Sequence, residues 1–214
     1  MRPAARVARA WGFGVADVPE RGRGALRPAT DIAARLMACD AVCSWLELSE
    51  RNDDDRNHDE RNDDGRCNHV VAESDRLRAY VARNGLAAWM TADERRRWDA
   101  PRAAARSPSR EDLWPLAWAL GYEPAPPLDG ATVTQARVCA IVGDFLPGLD
   151  ATVADVAGRP RPLAEVAAVE DLFYCAEHAV SLPVGFDPAV HGEVVRRRRR
   201  ALTFCLGGPW DDVA

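Results

Sequence analysis

Lysine is absent from this sequence, and so are a long apolar run and any complete nucleotide-binding, metal-binding or nucleophile motif. No segment approaches the roughly 20 consecutive apolar residues that span a bilayer. The segment after Arg2 has no uninterrupted apolar core of the kind that a signal peptide needs. The sequence therefore predicts a cytoplasmic protein with no membrane partner. Its 28 basic residues, all arginine, are typical of a GC-rich bacterial genome.

Strand-like alternation is almost absent as well, whereas apolar residues recur at helical spacing along most of the chain. Hydrophobic residues make up 47% of the 214 positions, so the chain can bury a substantial core. A chain of this length commonly folds as one domain. We expect a single all-α domain over residues 1–214, with about six to eight helices.

Charge and cysteine content restrict the partners. The net charge of −5 argues against general affinity for nucleic acid or an anionic membrane. The six cysteines lie mostly in apolar periodic segments, which is typical of buried thiols in a reducing compartment. Cys39 with Cys43, and Cys67 with His69, would each supply two zinc ligands, but neither has an obvious second pair. No metal and no cofactor is predicted.

Capping residues and apolar spacing mark the helices. They start near, or are centred on, Thr30, Leu77, Thr91, Ser109, Thr132, Pro162 and Asp187. The last helix is the best delimited, with Asp187 as N-cap, Pro188 in the first turn and Gly207 just past its end. We expect the helices at about residues 162–181 and 188–206 to pack antiparallel.

Residues 51–68 differ in kind from the rest of the chain. Arginine recurs there every five residues, at 51, 56, 61 and 66, and Asn and Asp fill most of the intervals. A period of five matches neither a helix nor a strand, and almost nothing in the segment is apolar. It is predicted to be a disordered low-complexity insertion. A calcium-loop interpretation fails, because Val71 stands where the bidentate glutamate would be needed.

Arg198 lies on the apolar stripe of the last helix, connected by steps of three and four residues to Val194, Ala201 and Cys205. An unpaired buried charge costs several kcal/mol, so a carboxylate or the anion of a ligand should meet this arginine. With Trp210, it is expected to face the tryptophan-rich helix that starts at Ser109. Its candidate partners are Glu111, Asp171, Asp211 and Asp212.

The arginine run at residues 196–200 raises the question of nucleic-acid binding. Consecutive helical residues step about 100° around the axis, so five of them encircle the helix and cannot form one flat basic patch. No helix-turn-helix, zinc finger or aromatic RNA platform accompanies the run. Nucleic-acid association therefore remains a minor alternative.

One face of the central helix combines a carboxylate, a thiol and an imidazole, in Asp171, Cys175 and His178, beside Tyr174. Such a set superficially suggests a nucleophile and its base. Catalytic Cys and His usually converge from separate elements, however, and one helix face rarely supplies an oxyanion hole. Packing and a hydrogen-bonded histidine are the preferred interpretation.

Several motifs in order along the chain resemble the bacterial family catalogued as domain of unknown function 4272. They are EDLWPLAWALG at residues 111–121, DLFY at 171–174, RRRAL at 198–202 and WDDV at 210–213, preceded by LRPATDIA at 26–33 and MTADE at 90–94. The resemblance covers nearly the whole chain. It implies a mostly helical cytoplasmic domain and brings no established activity.

The same resemblance supplies candidate site residues, because it places the family's polar and tryptophan signature on particular positions. These are Glu111, Trp118, Asp171, Arg198, Arg200, Trp210, Asp211 and Asp212. The chain departs from the family pattern at Pro115, Cys175, His178, Arg197 and the pair Thr203 and Phe204. Where Cys175 stands, the pattern has an arginine. Its loss is expected to leave Asp171 dependent on Arg198 and to weaken a shared site.

With no complete catalytic constellation, the sequence favours a non-enzymatic binding or protein-interaction module, with a protein or a small anionic ligand as its partner. The alternative is an enzyme, such as a hydrolase of an anionic substrate, with Glu111 or Asp171 as base and Arg198 or Arg200 as anion clamp. A concave pocket uniting these four residues would favour the enzyme. A closed ion pair would oppose it.

Overall fold

The computed structural model is predominantly helical. It describes residues 14–15, 24–58, 64–101, 108–122, 125–126, 128, 132–134, 137, 149–181 and 188–210, without the side chains of 14–15, 52–70 and 180–191. Within these residues the helices are α1 (Ala29–His58), α2 (Asp64–Arg83), α3 (Ala92–Asp99), α4 (Arg110–Ala119), α5 (Val153–Val156), α6 (Leu163–Glu177) and α7 (Pro188–Cys205). The all-α prediction is confirmed.

Two short segments pair as an antiparallel ribbon. Strand β1 (Gly14–Val15) lies beside β2 (Ala179–Ser181). The central helix therefore ends at Glu177, and not near 181 as its apolar stripe suggested, because the backbone beyond His178 turns to strand pairing. A single 3₁₀ turn, Leu86–Trp89, lies between α2 and α3.

Helix ends follow the local chemistry that the sequence indicated. Thr91 and Glu94 form the capping box of α3. Ser109 caps α4 in the same way, with Asp112 as the reciprocating carboxylate. Gly121, just past α4, has φ +91°, and Gly207, just past α7, has φ +85°. Both glycines thus adopt the left-handed conformation that commonly ends a helix.

The core forms around α1, α4 and α7. Helix α4 contacts α1 and also contacts α7, which in turn packs on α6. The buried face of α1 carries Ile32, Leu36 and Cys39, in agreement with the predicted stripe. Arg196 of α7 contacts Glu177 of α6, and Thr203, seven residues further along α7, contacts Glu170, seven residues earlier in α6. The two helices are therefore antiparallel, as expected.

Some sequence predictions fall wholly or partly outside the described residues. Asp187, the expected N-cap, is one of them, although Pro188 is the first residue of α7 as predicted. The helix expected from Thr132 is non-helical at residues 132–134 and continues largely into undescribed positions. The structure describes only part of the predicted insertion, in which α1 extends to His58 and α2 begins at Asp64. The disorder of residues 51–68 therefore stays a prediction.

None of the described helices combines the length and the apolar character that crossing a bilayer requires.

Candidate functional site

The five consecutive arginines of α7 all bind carboxylates of the chain itself. The pairs are Arg196 with Glu193 and Glu177, Arg197 with Glu193 and Asp112, Arg198 with Glu111, Arg199 with Glu170 and Glu177, and Arg200 with Asp112. We call these residues the arginine lattice. Because successive side chains point around the helix axis, the run ties α7 to α4 on one side and to α6 on another.

Arg198 and Glu111 form the most deeply buried pair of the lattice. The Nε of Arg198 donates to Oε2 of Glu111 at 2.8 Å, and the Arg198 side chain is 0% exposed. The other oxygen of Glu111 accepts the backbone N–H of Val133. The guanidinium carbon lies 5.4 Å from the ring centre of Trp114. Glu111 is thus the carboxylate that pairs with the buried arginine. It is one of the four candidate partners that the sequence predicted.

Asp112 joins the end of one helix to the middle of another. Its carboxylate accepts the backbone N–H of Ser109 at 2.9 Å and so completes the cap of α4. Both oxygens also accept from Nη2 of Arg200 at 2.7 Å. The structure therefore pairs Arg200 with Asp112, a residue that sequence analysis did not single out.

On the opposite side, α6 contributes Glu170 and Glu177, rather than Asp171, to the pairing of Arg199. Glu170 also accepts the hydroxyl of Thr203 at 3.1 Å. Asp171 is half-buried on the same helix. Arg198 pairs with Glu111, and the expected dependence of Asp171 on Arg198 stays a prediction.

Trp210 contacts two guanidinium groups. The Arg35 guanidinium carbon is 3.8 Å from the ring centre and that of Arg200 is 4.9 Å away. The ring of Phe204 meets it edge-on at 5.4 Å. Since Arg35 belongs to α1, Trp210 contacts the first helix. Its predicted direction toward the tryptophan-rich helix is not seen in these contacts.

Arg35 forms a second deeply buried ion pair that sequence analysis missed. Its two terminal nitrogens donate to the two oxygens of Glu94 at 2.7 and 2.6 Å. Glu94 also caps α3, so one carboxylate satisfies a helix end and a guanidinium together. A signal was present, because Arg35 stands three residues after Ile32 and four before Cys39 on the apolar stripe of α1.

Trp118 and the candidate nucleophile set have structural contacts. Trp118 is buried, and its carbonyl accepts from Nε of Arg161 at 2.8 Å. Cys175 is fully buried, whereas His178 is exposed at the end of α6, with its Nδ1 3.0 Å from the carbonyl oxygen of Tyr174. A thiol and an imidazole in such different surroundings do not form an activated nucleophile.

A cleft of about 540 Å³ opens between α1, the start of α4 and α7. It is lined by Cys43, Leu46, Glu47, Glu50, Pro108, Ser109, Arg110, Glu111, Thr132, Val133, Glu193, Val194 and Arg197. The α1 residues 43, 46, 47 and 50 share one helix face, since they are spaced three, one and three apart. This face changes from apolar to acidic toward its carboxyl end, which is the sequence signal that could have located the cleft.

The charged side chains that line the cleft differ in the ion pairs that they form. Arg110 binds Glu47 at 2.8 Å across the opening, and both side chains are more than a third exposed. Glu193 binds Arg197 at 2.6 Å. Partial burial opposes ionisation of Glu193, but the hydrogen bond and charge of Arg197 outweigh it and lower the pKa of Glu193. Glu50 is exposed at the end of this face.

Neither a reactive thiol nor a metal cluster occurs among the described residues of the cleft. Burial, followed by the charge of Asp40, raises the pKa of the Cys43 thiol well above its ordinary value, so this cysteine is a neutral side chain near neutral pH. The part of the chain that the structure describes holds no cluster of three or more His, Cys, Asp or Glu residues suited to a metal ion.

The structure therefore brings only some of the candidate site residues into contact with one another. It brings Glu111 to Arg198, and it brings Arg200 to Trp210. It does not unite Glu111, Asp171, Arg198 and Arg200 around the cleft, because only Glu111 of these four lines it. Asp211 and Asp212 lie outside the described residues.

Comparison with known proteins identifies the family but no characterised relative. No curated protein and no solved structure matches the chain. The family model described as "Domain of unknown function (DUF4272)" matches residues 14–213, which include α1, α4, α6 and α7 in full. The chain belongs to the DUF4272 family.

Proposed function

We propose that this protein is a non-enzymatic binding module and that the cleft between α1, α4 and α7 is its ligand site. The observation that carries the proposal is the contrast between two neighbouring regions. The arginine lattice is closed by its own carboxylates, whereas the cleft beside it is open and lined by apolar and charged groups.

The closed pair of Arg198 and Glu111 supports a structural role for the family's polar residues. A general base needs a lone pair directed at the substrate. One oxygen of Glu111 accepts from Arg198 and the other from Val133. Arg198 is fully buried, so it is poorly placed to clamp a substrate anion. These contacts oppose the hydrolase alternative that used these residues.

The size and construction of the cleft support a binding role. Its volume of about 540 Å³ lies within the roughly 300–1,000 Å³ that is common for ligand sites. Two walls are long helices, held in place by Arg35–Glu94 and by the arginine lattice. A rigid frame with an exposed, partly apolar lining suits recognition.

A cytoplasmic location is part of the same proposal. Cys39, Cys43, Cys175 and Cys205 are thiols rather than half-cystines, which is the state expected in a reducing compartment.

The experiment is a nuclear magnetic resonance screen of the full chain with a library of small organic compounds and N-acetylated tetrapeptides. We expect the bound members to shift the amide resonances of Glu50, Val133 and Val194. Thr132 is exposed and lines the cleft, so Thr132→Trp should fill the site and abolish these shifts.

Thr134→Trp is the matched control, because Thr134 is also exposed and does not line the cleft. This variant should retain every hit. The proposal is wrong if no library member shifts the cleft resonances. It is also wrong if the bound compounds shift the resonances of another region and still bind the Thr132→Trp variant.

A further inference from the structure

The charges that line the cleft indicate the chemical class of its ligand. This inference rests on the proposed binding function. We infer that the cleft binds a short extended segment of a partner protein that presents a basic side chain next to an aliphatic one. Four lining residues are carboxylates and two are guanidinium groups. The charge that the cleft prefers in a ligand depends on which of these six groups are available.

Two of the lining carboxylates each accept hydrogen bonds from two other groups of the chain. Glu111 is buried and accepts from Arg198 and from Val133. Glu193 accepts from Arg197 at 2.6 Å and from Arg196 at 2.9 Å. These groups therefore frame the cleft without offering an unused charge.

The remaining two carboxylates, Glu47 and Glu50, stand one turn apart on α1. Glu50 has no ion pair within the described part of the chain. Glu47 is held by Arg110, but both side chains are more than a third exposed. Exposed pairs of this kind contribute little to stability. A guanidinium or ammonium group of a ligand can therefore replace Arg110 at Glu47 and contact Glu50 at the same time.

The apolar residues of the cleft indicate that the ligand carries an aliphatic group beside its cation. Leu46 from α1 and Val194 from α7 line different walls of the cleft, and Val133, whose backbone N–H binds Glu111, adds a further apolar side chain. A ligand that contacts the acidic face and the apolar walls must carry a cation and an aliphatic group several bonds apart. Neighbouring side chains of an extended peptide meet this requirement.

The test uses three synthetic tetrapeptides with blocked ends, in which leucine alternates with arginine, glutamine or glutamate. Their affinities for the full chain are measured by isothermal titration calorimetry, with butylguanidine as a free cation. We expect the arginine peptide to bind about fivefold more tightly than the glutamine peptide, as one or two partly exposed ion pairs would give. The glutamate peptide should bind more weakly than both.

Glu50→Gln should reduce the preference for arginine over glutamine to near unity, and Glu50→Arg should reverse it in favour of glutamate. Asp75→Asn is the matched control, because Asp75 is an exposed helical carboxylate on α2 that does not line the cleft. It should leave the preference unchanged. Raising the salt concentration should weaken the preference, since the charges are exposed.

The outcomes separate this inference from the proposed function. If the glutamine or glutamate peptide binds as tightly as the arginine peptide and Thr132→Trp blocks it, the cleft is a binding site but its cation preference is refuted. Equal affinity of butylguanidine refutes the peptide as occupant. If none of the three peptides binds, this inference fails, whereas the proposed function is decided by the compound screen.

Discussion

At the residue scale, the arginines of α7 differ in how far water reaches them. The side chain of Arg198 is 0% exposed, and that of Arg196 is 48% exposed. Both bind a glutamate, yet the energetic consequences differ. Removing one partner of a buried pair leaves an unsolvated charge, whereas an exposed charge returns to water.

Replacing Arg198 with Met should therefore destabilise the fold by about 3–5 kcal/mol, because Glu111 would remain buried without its guanidinium partner. The double variant Arg198→Met with Glu111→Leu should recover much of this loss. The measurement is the free energy of unfolding in urea for the single and double variants.

Arg196→Met is the control and should change the free energy of unfolding by less than about 1 kcal/mol. An Arg198→Met variant as stable as the wild type would contradict the structural role of the pair. It would return Arg198 to the list of ligand-binding candidates.

Asp40 introduces a pH dependence into α1. Burial, with a further contribution from the charge of Glu47, raises its pKa from 3.8 to about 7. The folded state therefore binds the proton more tightly than the unfolded state between these values. Stability contributed by protonated Asp40 is present near pH 4, falls as the pH rises toward 7, and is absent above it.

Asp40→Asn removes this titration. We expect the variant to match the wild type near pH 4 and to be more stable by about 1–3 kcal/mol at pH 8. Urea unfolding at several pH values measures the difference. A constant difference between the two proteins across this range would contradict the raised pKa.

At the element scale, two carboxylates each serve a helix end and an arginine. Glu94 caps α3 and binds Arg35, and Asp112 caps α4 and binds Arg200. The positive end of a helix favours a carboxylate in the first turn, so the two roles support each other. A local sequence motif is thereby connected to a distant helix.

The two roles of Glu94 can be separated by mutation. Thr91→Ala removes only the hydroxyl cap and should cost about 1 kcal/mol. Glu94→Ala removes the cap and also leaves Arg35 buried without its carboxylate, so it should cost about 3–5 kcal/mol. Equal losses in the free energy of unfolding would show that the Arg35–Glu94 pair adds nothing to the cap.

The segment 51–68 offers a test of the predicted insertion. Helices α1 and α2 are in contact, and Trp45, Leu48, Leu77 and Tyr80 of these helices are buried in the core outside this segment. Replacing residues 51–68 with a short Gly/Ser linker should therefore change the melting temperature by less than about 3 °C. Scanning calorimetry measures the change. Loss of the cooperative transition would show that the segment contributes to the core.

The ends of several helices were accessible from the sequence. Thr91 and Ser109 mark helix starts through short-range hydrogen bonds, and Gly207 marks an end through its left-handed backbone. The end of α6 was not accessible, since the apolar stripe continues past Glu177. Pairing of Ala179–Ser181 with a strand far away in sequence ends that helix, and no local pattern encodes such pairing.

At the scale of the whole molecule, the carboxyl-terminal turn is tied back to the first helix. Trp210 is 7% exposed and contacts Arg35 of α1, Arg200 of α7 and the ring of Phe204. Cation–π contacts of this kind add about 0.5–2 kcal/mol each to the burial of the ring. The far end of the chain therefore helps to hold α1 against α7.

Trp210→Ala should destabilise the fold by about 3 kcal/mol through the lost burial and the two lost cation–π contacts. Val71→Ala is the control, because Val71 is a large hydrophobic residue that is 61% exposed, and it should cost less than about 1 kcal/mol. Thermal and urea unfolding measure both variants. Equal effects would mean that the carboxyl-terminal turn is dispensable for the packing of α1.

The sequence alone determined the helical class, the ends of α4 and α7 and the burial of Arg198, because these follow from spacing, capping and the position of a charge on an apolar stripe. It also identified Glu111 among the possible partners of that arginine. Only the tertiary structure decided that Glu111 pairs with Arg198, that Glu170 and Glu177 pair with Arg199, and that an acidic face of α1 borders a cleft. Pairing between helices depends on distances across the core, and residues far apart along the chain carry no mark of which ones the fold will bring together.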